Sequence, residues 1–134
     1  MPGLMDVNPP STPARTQKIT LVDDDPSVRR GISRLVRSYG YECITVESGE
    51  LAVEDPLLRI SDCIIMDVQL SGMDGFETRD RLHEQNIRIP ILFISAHADL
   101  DSAEWRMRLR GSPYLKKPFE AKALIAAIES LIAN

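Results

Sequence analysis

The chain has 134 residues, 43% of them hydrophobic and 27% charged, which is typical of one globular domain rather than a disordered or fibrous chain. Its net charge of -4 provides no basic surface for phosphates, so the domain alone is not expected to bind nucleic acid. The apolar runs are too short to cross a bilayer, and Cys43 and Cys63 suggest neither a disulfide framework nor a metal-ligand spacing. We therefore expect a cytoplasmic protein without membrane insertion.

The N-terminal segment differs in composition from the rest of the chain. Residues 1–17 contain four prolines and no hydrophobic period, which predicts a flexible N-terminal arm. Strand-like and helix-like patterns alternate from residue 18 onward, so we expect one domain over residues 18–134.

Apolar runs and turn residues predict five strands and five helices. The predicted strands cover residues 19–22, 41–46, 63–66, 90–94 and 114–115. The predicted helices run from Pro26 to a stop at Gly40, from Gly49 to before Pro56, and over residues 76–82, 99–110 and 119–132. This alternation predicts a parallel sheet with right-handed crossovers and helices on both faces, which is a three-layer α/β sandwich.

Polar side chains follow four of the predicted strands at their carboxyl ends. Asp23 and Asp24 follow the first strand, Asp67 the third, Ser95 the fourth and Lys117 the fifth. Carboxyl ends of parallel strands meet at one edge of the sheet, so these side chains should share a pocket. Three neighbouring carboxylates are tolerated only around a cation, and oxygen ligands favour Mg2+. Asp67 could then act as a nucleophile that forms an acyl phosphate.

Simpler interpretations exist for some of these residues. Three consecutive acids before a proline are also what a capped helix start contains, because acidic residues are favourable there. The polar residues at the other strand ends favour the metal site, with Asp25 as the cap. We expect Arg29, Arg30, Arg34 and Arg37 to form a solvated helix face. Trp105 is expected to pack internally rather than to form an exposed partner surface.

The chemistry-bearing stretches resemble the receiver domain of two-component response regulators. They are LVDDDPSVRR at residues 21–30, IIMDVQLSGMDG at 64–75, ILFISAHAD at 91–99 and YLKKPF at 114–119. The resemblance covers residues 18–134 and implies a flavodoxin-like fold with strand order 2-1-3-4-5.

The resemblance also implies a role for individual residues. Asp67 would be the phosphoacceptor, and Mg2+ would be held by Asp23, Asp24, Asp67 and the backbone carbonyl of Gln69. Ser95 would be the switch hydroxyl, Tyr114 the aromatic that changes rotamer on activation, and Lys117 the phosphate-binding lysine before a cis bond to Pro118.

Two stretches depart from the family pattern. Leu70 and Ser71 stand where the family usually has Met-Pro, which predicts a less rigid loop after the phosphoacceptor. Ser112 and Pro113 replace a Gly-Ala stretch, which predicts a changed helix end before Tyr114. Gln69 and His97 lie two residues beyond Asp67 and Ser95, where we expect them to tune dephosphorylation.

The leading hypothesis is a phosphorylation-dependent switch, not an enzyme acting on external substrates. A histidine kinase or phosphotransfer protein would donate the phosphoryl group, and the surface of the fourth helix, fifth strand and fifth helix would contact an effector or a second copy. One alternative is a receiver-like scaffold that needs no phosphorylation. Another is an aspartyl-nucleophile phosphohydrolase, although Gln69 stands where such enzymes need a second acid.

Overall fold

Five strands and five helices alternate in the computed structural model, which describes residues 15–97 and 102–133. The strands are β1 (Lys18–Val22), β2 (Glu42–Val46), β3 (Cys63–Asp67), β4 (Ile91–Ser95) and β5 (Tyr114–Lys116). The helices are α1 (Pro26–Ser38), α2 (Gly49–Glu54), α3 (Gly75–Glu84), α4 (Ala103–Leu109) and α5 (Ala121–Ala133). A short 3-10 helix, Leu58–Ile60, precedes β3.

The strands form one parallel sheet in the order β2-β1-β3-β4-β5, which confirms the predicted three-layer flavodoxin-like fold. The chain leaves β1 toward one edge of the sheet and later returns to place β3 on the other side of β1. The carboxyl ends of β1 and β3 are therefore neighbours at the point where the strand order reverses, and such a point opens a crevice for ligands.

Each face of the sheet carries its own apolar cluster, because successive side chains of a strand point to opposite faces. One cluster includes Val22, Met66, Phe76, Leu82, Phe93 and Leu109 and packs toward α2, α3 and α4. The other includes Leu21, Val36, Ile65, Leu92, Leu124 and Ile128 and packs toward α1 and α5. Every residue of β3 and β4 is buried, as their continuous apolar runs predict.

Local capping residues set where α1 and α3 begin. The Asp25 carboxylate accepts a hydrogen bond from the Ser27 amide at 2.8 Å, so Asp25 is the predicted N-cap of α1. Asp74 and Glu77 form a capping box, which starts α3 at Gly75, one residue earlier than predicted.

The predicted starts of the fourth and fifth helices were also wrong. The predicted fourth helix spans residues 99–110, of which 99–101 lie outside the described residues; α4 begins only after Ser102, whose hydroxyl caps the Trp105 amide at 3.2 Å. The fifth helix begins at Ala121 rather than at Phe119, because the Glu120 carbonyl accepts the first helical hydrogen bonds while Phe119 packs against the core.

The part of the predicted arm that the structure describes is attached to the domain. The Arg15 guanidinium contacts the Asp62 carboxylate with N–O distances of 2.6 and 3.1 Å, and the Gln17 carbonyl accepts the Glu42 amide at 2.9 Å. Residues 1–14 lie outside the described residues, so the predicted flexible arm and its boundary stay a prediction. Within residues 15–97 and 102–133, none of the helices has the length and apolar character needed to span a bilayer.

Candidate functional site

Three carboxylates meet at the carboxyl ends of β1 and β3. Asp23 follows β1 directly and is fully buried, Asp67 ends β3 and is 5% exposed, and Asp24 faces solvent. One oxygen from each residue lies within 4.8 Å of the others. The structure thus brings together the three residues that the strand ends predict, with the outermost carboxylate open to solvent.

Lys117 reaches into this group from the neighbouring end of the sheet. Its Nζ donates to Asp23 Oδ2 at 2.9 Å and to Asp67 Oδ2 at 3.0 Å. Its backbone amide donates to the Ser95 carbonyl at 2.8 Å, which continues the β4–β5 pairing beyond the last strand residue, and the Lys117–Pro118 peptide bond is cis. Lys116, one residue earlier, is exposed.

The pKa shifts in the pocket follow from its burial and its charges. Burial raises the pKa of Asp23, against the hydrogen bonds from the Asp25 amide and from Lys117 that favour its ionised form. Burial opposes the charge of Lys117, yet hydrogen bonds to Asp23 and Asp67 raise the pKa of Lys117 above its usual value. Three carboxylates facing one ammonium leave an excess of negative charge that a cation can balance.

Ser95 is fully buried at the end of β4, one residue beyond Ile94, which is the β4 neighbour of Asp67. Its Oγ accepts the His97 amide at 3.0 Å and donates to Gln69 Oε1 over a long 3.5 Å. The Gln69 amide in turn donates to Asp67 Oδ1 at 2.9 Å. The structure therefore brings all four residues to one site, and the predicted use of the Gln69 carbonyl as a ligand stays a prediction.

Tyr114 and Trp105 lie on the α4 side of this site. Tyr114 opens β5 opposite Phe93 and is half-buried, and both aromatics pack against the apolar cluster on that face. The Trp105 ring lies 5.5 Å from Phe76 and 5.0 Å from His97, centroid to centroid. Internal packing of Trp105 is thus confirmed, and it links the His97 segment to α4.

Two arginines of α1 reach backbone carbonyls. Arg37 stays exposed, as predicted for the solvated face, whereas Arg29 is partly buried and departs from that prediction. Arg29 Nη1 donates to the Asp23 carbonyl, and Arg37 Nη2 donates to the Cys43 carbonyl, each at 2.8 Å. Arg29 thus fixes the backbone at the first strand end, a role that the sequence analysis missed. The sequence does not distinguish Arg29 from the other arginines of this helix, because the contact depends on which backbone carbonyl lies within reach in the folded chain.

The loop between β3 and α3 contains a second contact that the sequence analysis missed. The backbone amide and the Oγ of Ser71 both donate to Asp24 Oδ2 at 3.1 Å. The Met73 amide donates to Glu50 Oε2 at 2.9 Å. The loop that lacks the family's proline is therefore tied to the β1–α1 turn and to α2 by hydrogen bonds.

Gly75 lets this loop return close to Asp67. Its amide donates to the Val68 carbonyl at 2.9 Å, and a Cβ at this position would lie 2.5 Å from the Asp67 carbonyl oxygen. Because that oxygen belongs to the backbone of the buried strand, it cannot move aside cheaply. Glycine is required here by close approach rather than by an unusual φ.

The donor set fits a hard divalent cation. Asp23, Asp24 and Asp67 offer only oxygen ligands, and the exposed Asp24 leaves an open side on which water or a phosphoryl oxygen can complete the coordination of Mg2+. Soft ligands are not part of the group, since Cys43 and Cys63 lie buried within the apolar cluster on the α1 and α5 face.

Comparison with known proteins agrees with this geometry. The family model "Response regulator receiver domain" matches residues 19–129. Nodulation protein W of Bradyrhizobium diazoefficiens is 33% identical over 118 residues, 87% of this chain and 52% of that protein. The chain thus spans about half the length of this relative, and a quarter of the length of the transcriptional regulator NtrC of Escherichia coli.

Solved structures show the same fold. The response regulator StyR matches with a TM-score of 0.78 at 35% identity, over 89% of this chain and 60% of that one. The receiver domain of a sensor histidine kinase from Pseudomonas aeruginosa, with a magnesium ion coordinated in its active site cleft, matches with a TM-score of 0.78 at 29% identity, over 90% of this chain and all (100%) of that one. With its sheet order and acidic strand ends, the chain belongs to the response regulator receiver domain family.

Proposed function

We propose that this chain is a phosphoacceptor domain that takes a phosphoryl group on Asp67 and uses it to switch its contacts with other proteins. The observation that carries the proposal is the grouping of Asp67 with Asp23, Asp24 and Lys117 at one crevice. An isolated surface aspartate is a poor nucleophile toward phosphorus. A carboxylate held among a cation site and an ammonium is set up for phosphoryl transfer.

The transfer step needs a phosphorylated donor, for which a histidine kinase or a phosphotransfer protein has the right chemistry. An oxygen of Asp67 forms a bond to phosphorus while the bond from phosphorus to the donor nitrogen breaks, and the donor imidazole leaves and recovers a proton from solvent. A Mg2+ held by Asp23, Asp24, Asp67 and the Gln69 carbonyl would neutralise charge on the phosphoryl oxygens.

The side chains around Asp67 bind and orient the phosphoryl group. Lys117 can keep its contact with Asp23 and form an ion pair with the new phosphoryl oxygens, whose charge adds to the pocket. Ser95 Oγ donates only a long hydrogen bond to Gln69, which makes its exchange for a charged phosphoryl oxygen favourable.

Movement of Ser95 toward the phosphoryl group would reach the surface through its neighbours. The Ser95 hydroxyl holds the His97 amide, and the His97 ring lies against Trp105 of α4. We infer that Tyr114, which packs on the same cluster, changes rotamer when this segment shifts. The output surface would then be α4, β5 and α5, for an effector protein or a second copy of the chain.

Gln69 and His97 would set how long the phosphoryl group stays. Each lies two residues beyond a pocket residue, Asp67 or Ser95, and in receiver domains such positions would flank the path of the water that attacks the aspartyl phosphate. Gln69 is exposed, and its amide donates to Asp67. Dephosphorylation half-lives of Gln69→Ala and His97→Ala that equal the wild-type value would contradict this assignment.

The decisive experiment is intact mass spectrometry after incubation with acetyl phosphate and Mg2+. One added phosphoryl group that Asp67→Asn prevents would support the proposal. Asp55→Asn is the matched control, because Asp55 is an acid outside the pocket whose contact with the Leu57 amide an asparagine can keep.

Other outcomes of the same experiment separate the alternatives. Continuous release of phosphate without an adduct would indicate a phosphohydrolase, which the amide of Gln69 argues against because it cannot act as a general acid. An unmodified protein with every donor would indicate a scaffold that works without phosphorylation.

A further inference from the structure

We propose that Ser71 is a positioning residue that holds the Asp24 carboxylate ready for the divalent cation. The proposal rests on the proposed function, because it assigns Asp24 to the cation site. Ser71 stands where receiver domains usually carry a proline, so this contact belongs to this chain rather than to the family pattern.

The geometry is that of a fixed acceptor. Both donors of Ser71, its backbone amide and its hydroxyl, reach the same oxygen, Asp24 Oδ2, at 3.1 Å. Within the described residues, the hydrogen bonds to this carboxylate come from Ser71. With Oδ2 engaged twice, Oδ1 keeps its lone pairs for a cation.

Asp24 needs such support more than its two partners do. Asp23 and Asp67 are buried and each is held by Lys117 and by a backbone amide two residues further along. Asp24 is exposed, and a free surface carboxylate samples several rotamers that metal binding must then restrict. Fixing it beforehand lowers that entropic cost of coordination.

Ser71 itself lies on a loop that is held at both sides. Leu70, the residue before it, is 6% exposed and belongs to the apolar cluster on the α2, α3 and α4 face. Two residues beyond Ser71, the Met73 amide is held by Glu50 of α2 at 2.9 Å. A donor anchored in this way can transmit its position to Asp24, whereas a donor on a free loop could not.

A proline at this position would remove the contact altogether. Proline has neither an amide hydrogen nor a hydroxyl, so it can stiffen the loop but cannot donate to Asp24. Here Ser71 instead donates two hydrogen bonds to Asp24, which the proposal assigns to the cation site. Outer partners of this kind commonly change metal affinity when they are removed.

The test is isothermal titration of the full chain with MgCl2, compared across four substitutions. Ser71→Ala keeps the amide donor and should weaken binding several-fold, Ser71→Pro removes both donors and should weaken it by about tenfold or more, and Ser71→Thr should bind like wild type. Ser38→Ala is the control, because among residues 15–97 and 102–133 the Ser38 hydroxyl donates to the Leu35 carbonyl of its own helix, away from the acidic pocket.

Phosphorylation by acetyl phosphate gives a second readout. The rate should be lower for Ser71→Pro at limiting Mg2+ and should recover at saturating Mg2+, because a positioning residue changes cation affinity rather than the nucleophile. If Ser71→Pro binds Mg2+ as tightly as wild type or more tightly, the proposal is overturned. Should that variant not fold, Ser71→Ala decides, and an unchanged affinity overturns it. A wild-type protein that binds no Mg2+ would instead overturn the assigned cation site, and with it both proposals.

Discussion

The ammonium of Lys117 lies 3.0 Å from Oδ2 of Asp67. The same nitrogen lies 2.9 Å from Oδ2 of the fully buried Asp23, so one cation from the protein already bridges two of the three carboxylates. A metal ion that binds in the crevice competes with this ammonium for the same carboxylates. A phosphoryl group, which is negatively charged, is instead attracted to the ammonium.

Replacing Lys117 by methionine should therefore separate cation binding from phosphoryl transfer. Removing a positive charge from among three carboxylates should tighten Mg2+ binding by about tenfold or more, while the phosphoryl adduct forms more slowly for lack of its partner. Titration calorimetry with MgCl2 and intact mass after acetyl phosphate measure the two effects. Lys116→Met is the matched control, since Lys116 is exposed one residue earlier, and weaker Mg2+ binding by Lys117→Met would contradict the competition.

Gly75→Ala should distort the phosphoacceptor through the backbone. The added Cβ would lie 2.5 Å from the Asp67 carbonyl oxygen and 2.9 Å from the Val68 Cα. We expect the free energy of unfolding to fall by about 1–3 kcal/mol, with slower adduct formation on Asp67. Urea unfolding and mass spectrometry check both.

Gly31→Ala tests whether replacing any glycine by alanine lowers the free energy of unfolding. Gly31 lies within α1 with open space around its missing Cβ, so alanine there should raise the free energy of unfolding by about 0.5–1 kcal/mol. If Gly31→Ala and Gly75→Ala change the free energy of unfolding in the same direction, the close approach of residue 75 to the Asp67 carbonyl is not the reason that glycine is required there.

Arg79 is a buried cation between α3 and α4. It is 3% exposed, its guanidinium lies 5.2 Å from the Phe76 ring and 5.7 Å from the Phe93 ring, and its Nη1 donates to the Arg108 carbonyl in the last turn of α4. Burial lowers the pKa of Arg79, against its ion pair with Asp80. Its contacts thus hold the end of α4 on α3.

Arg79→Ala should lower the free energy of unfolding by about 2–4 kcal/mol, because it removes ring contacts and hydrogen bonds and leaves a cavity. Arg81→Ala is the control on the same helix: Arg81 is 56% exposed and should change stability by less than about 0.5 kcal/mol. Urea unfolding measures both, and equal effects would show that Arg79 does not anchor α4.

Because the Cys63 thiol is buried, we expect the free energy of unfolding to fall at alkaline pH. Burial raises the pKa of the Cys63 thiol from 9.0 to about 12. The folded state therefore keeps a proton that the unfolded state loses, so stability is fully present below pH 9 and falls as the pH rises toward 12.

Urea unfolding at two pH values measures this loss. Between pH 9 and pH 10 the wild-type protein should lose about 1 kcal/mol more than Cys63→Ala does. The same burial should keep Cys63 unreactive toward a thiol reagent at neutral pH until the chain is unfolded. Rapid modification of Cys63 in the folded protein would contradict both expectations.

The strands and the residues at their ends could be predicted because both depend on residues that are neighbours in the sequence. Unbroken apolar runs predict strands buried on two faces, and Asp23, Asp67 and Ser95 follow such runs directly. The predicted starts of α4 and α5 were less accurate. A serine cap delays the start of α4, and α5 begins only beyond Phe119. The apolar pattern that predicts a helix extends to residues N-terminal to the point where helical backbone hydrogen bonding begins.

Strand order, and with it the neighbourhood of Asp23 and Asp67, followed from resemblance and from the general behaviour of parallel sheets. The sequence by itself thus determined which chemical groups end the strands. Tertiary structure decided which loop donors reach them: Ser71 meets Asp24 across 47 positions, and Arg79 meets the Arg108 carbonyl across 29. The physical reason is that strands and caps form from neighbouring residues, while contacts between loops depend on how the packed layers bring distant segments together.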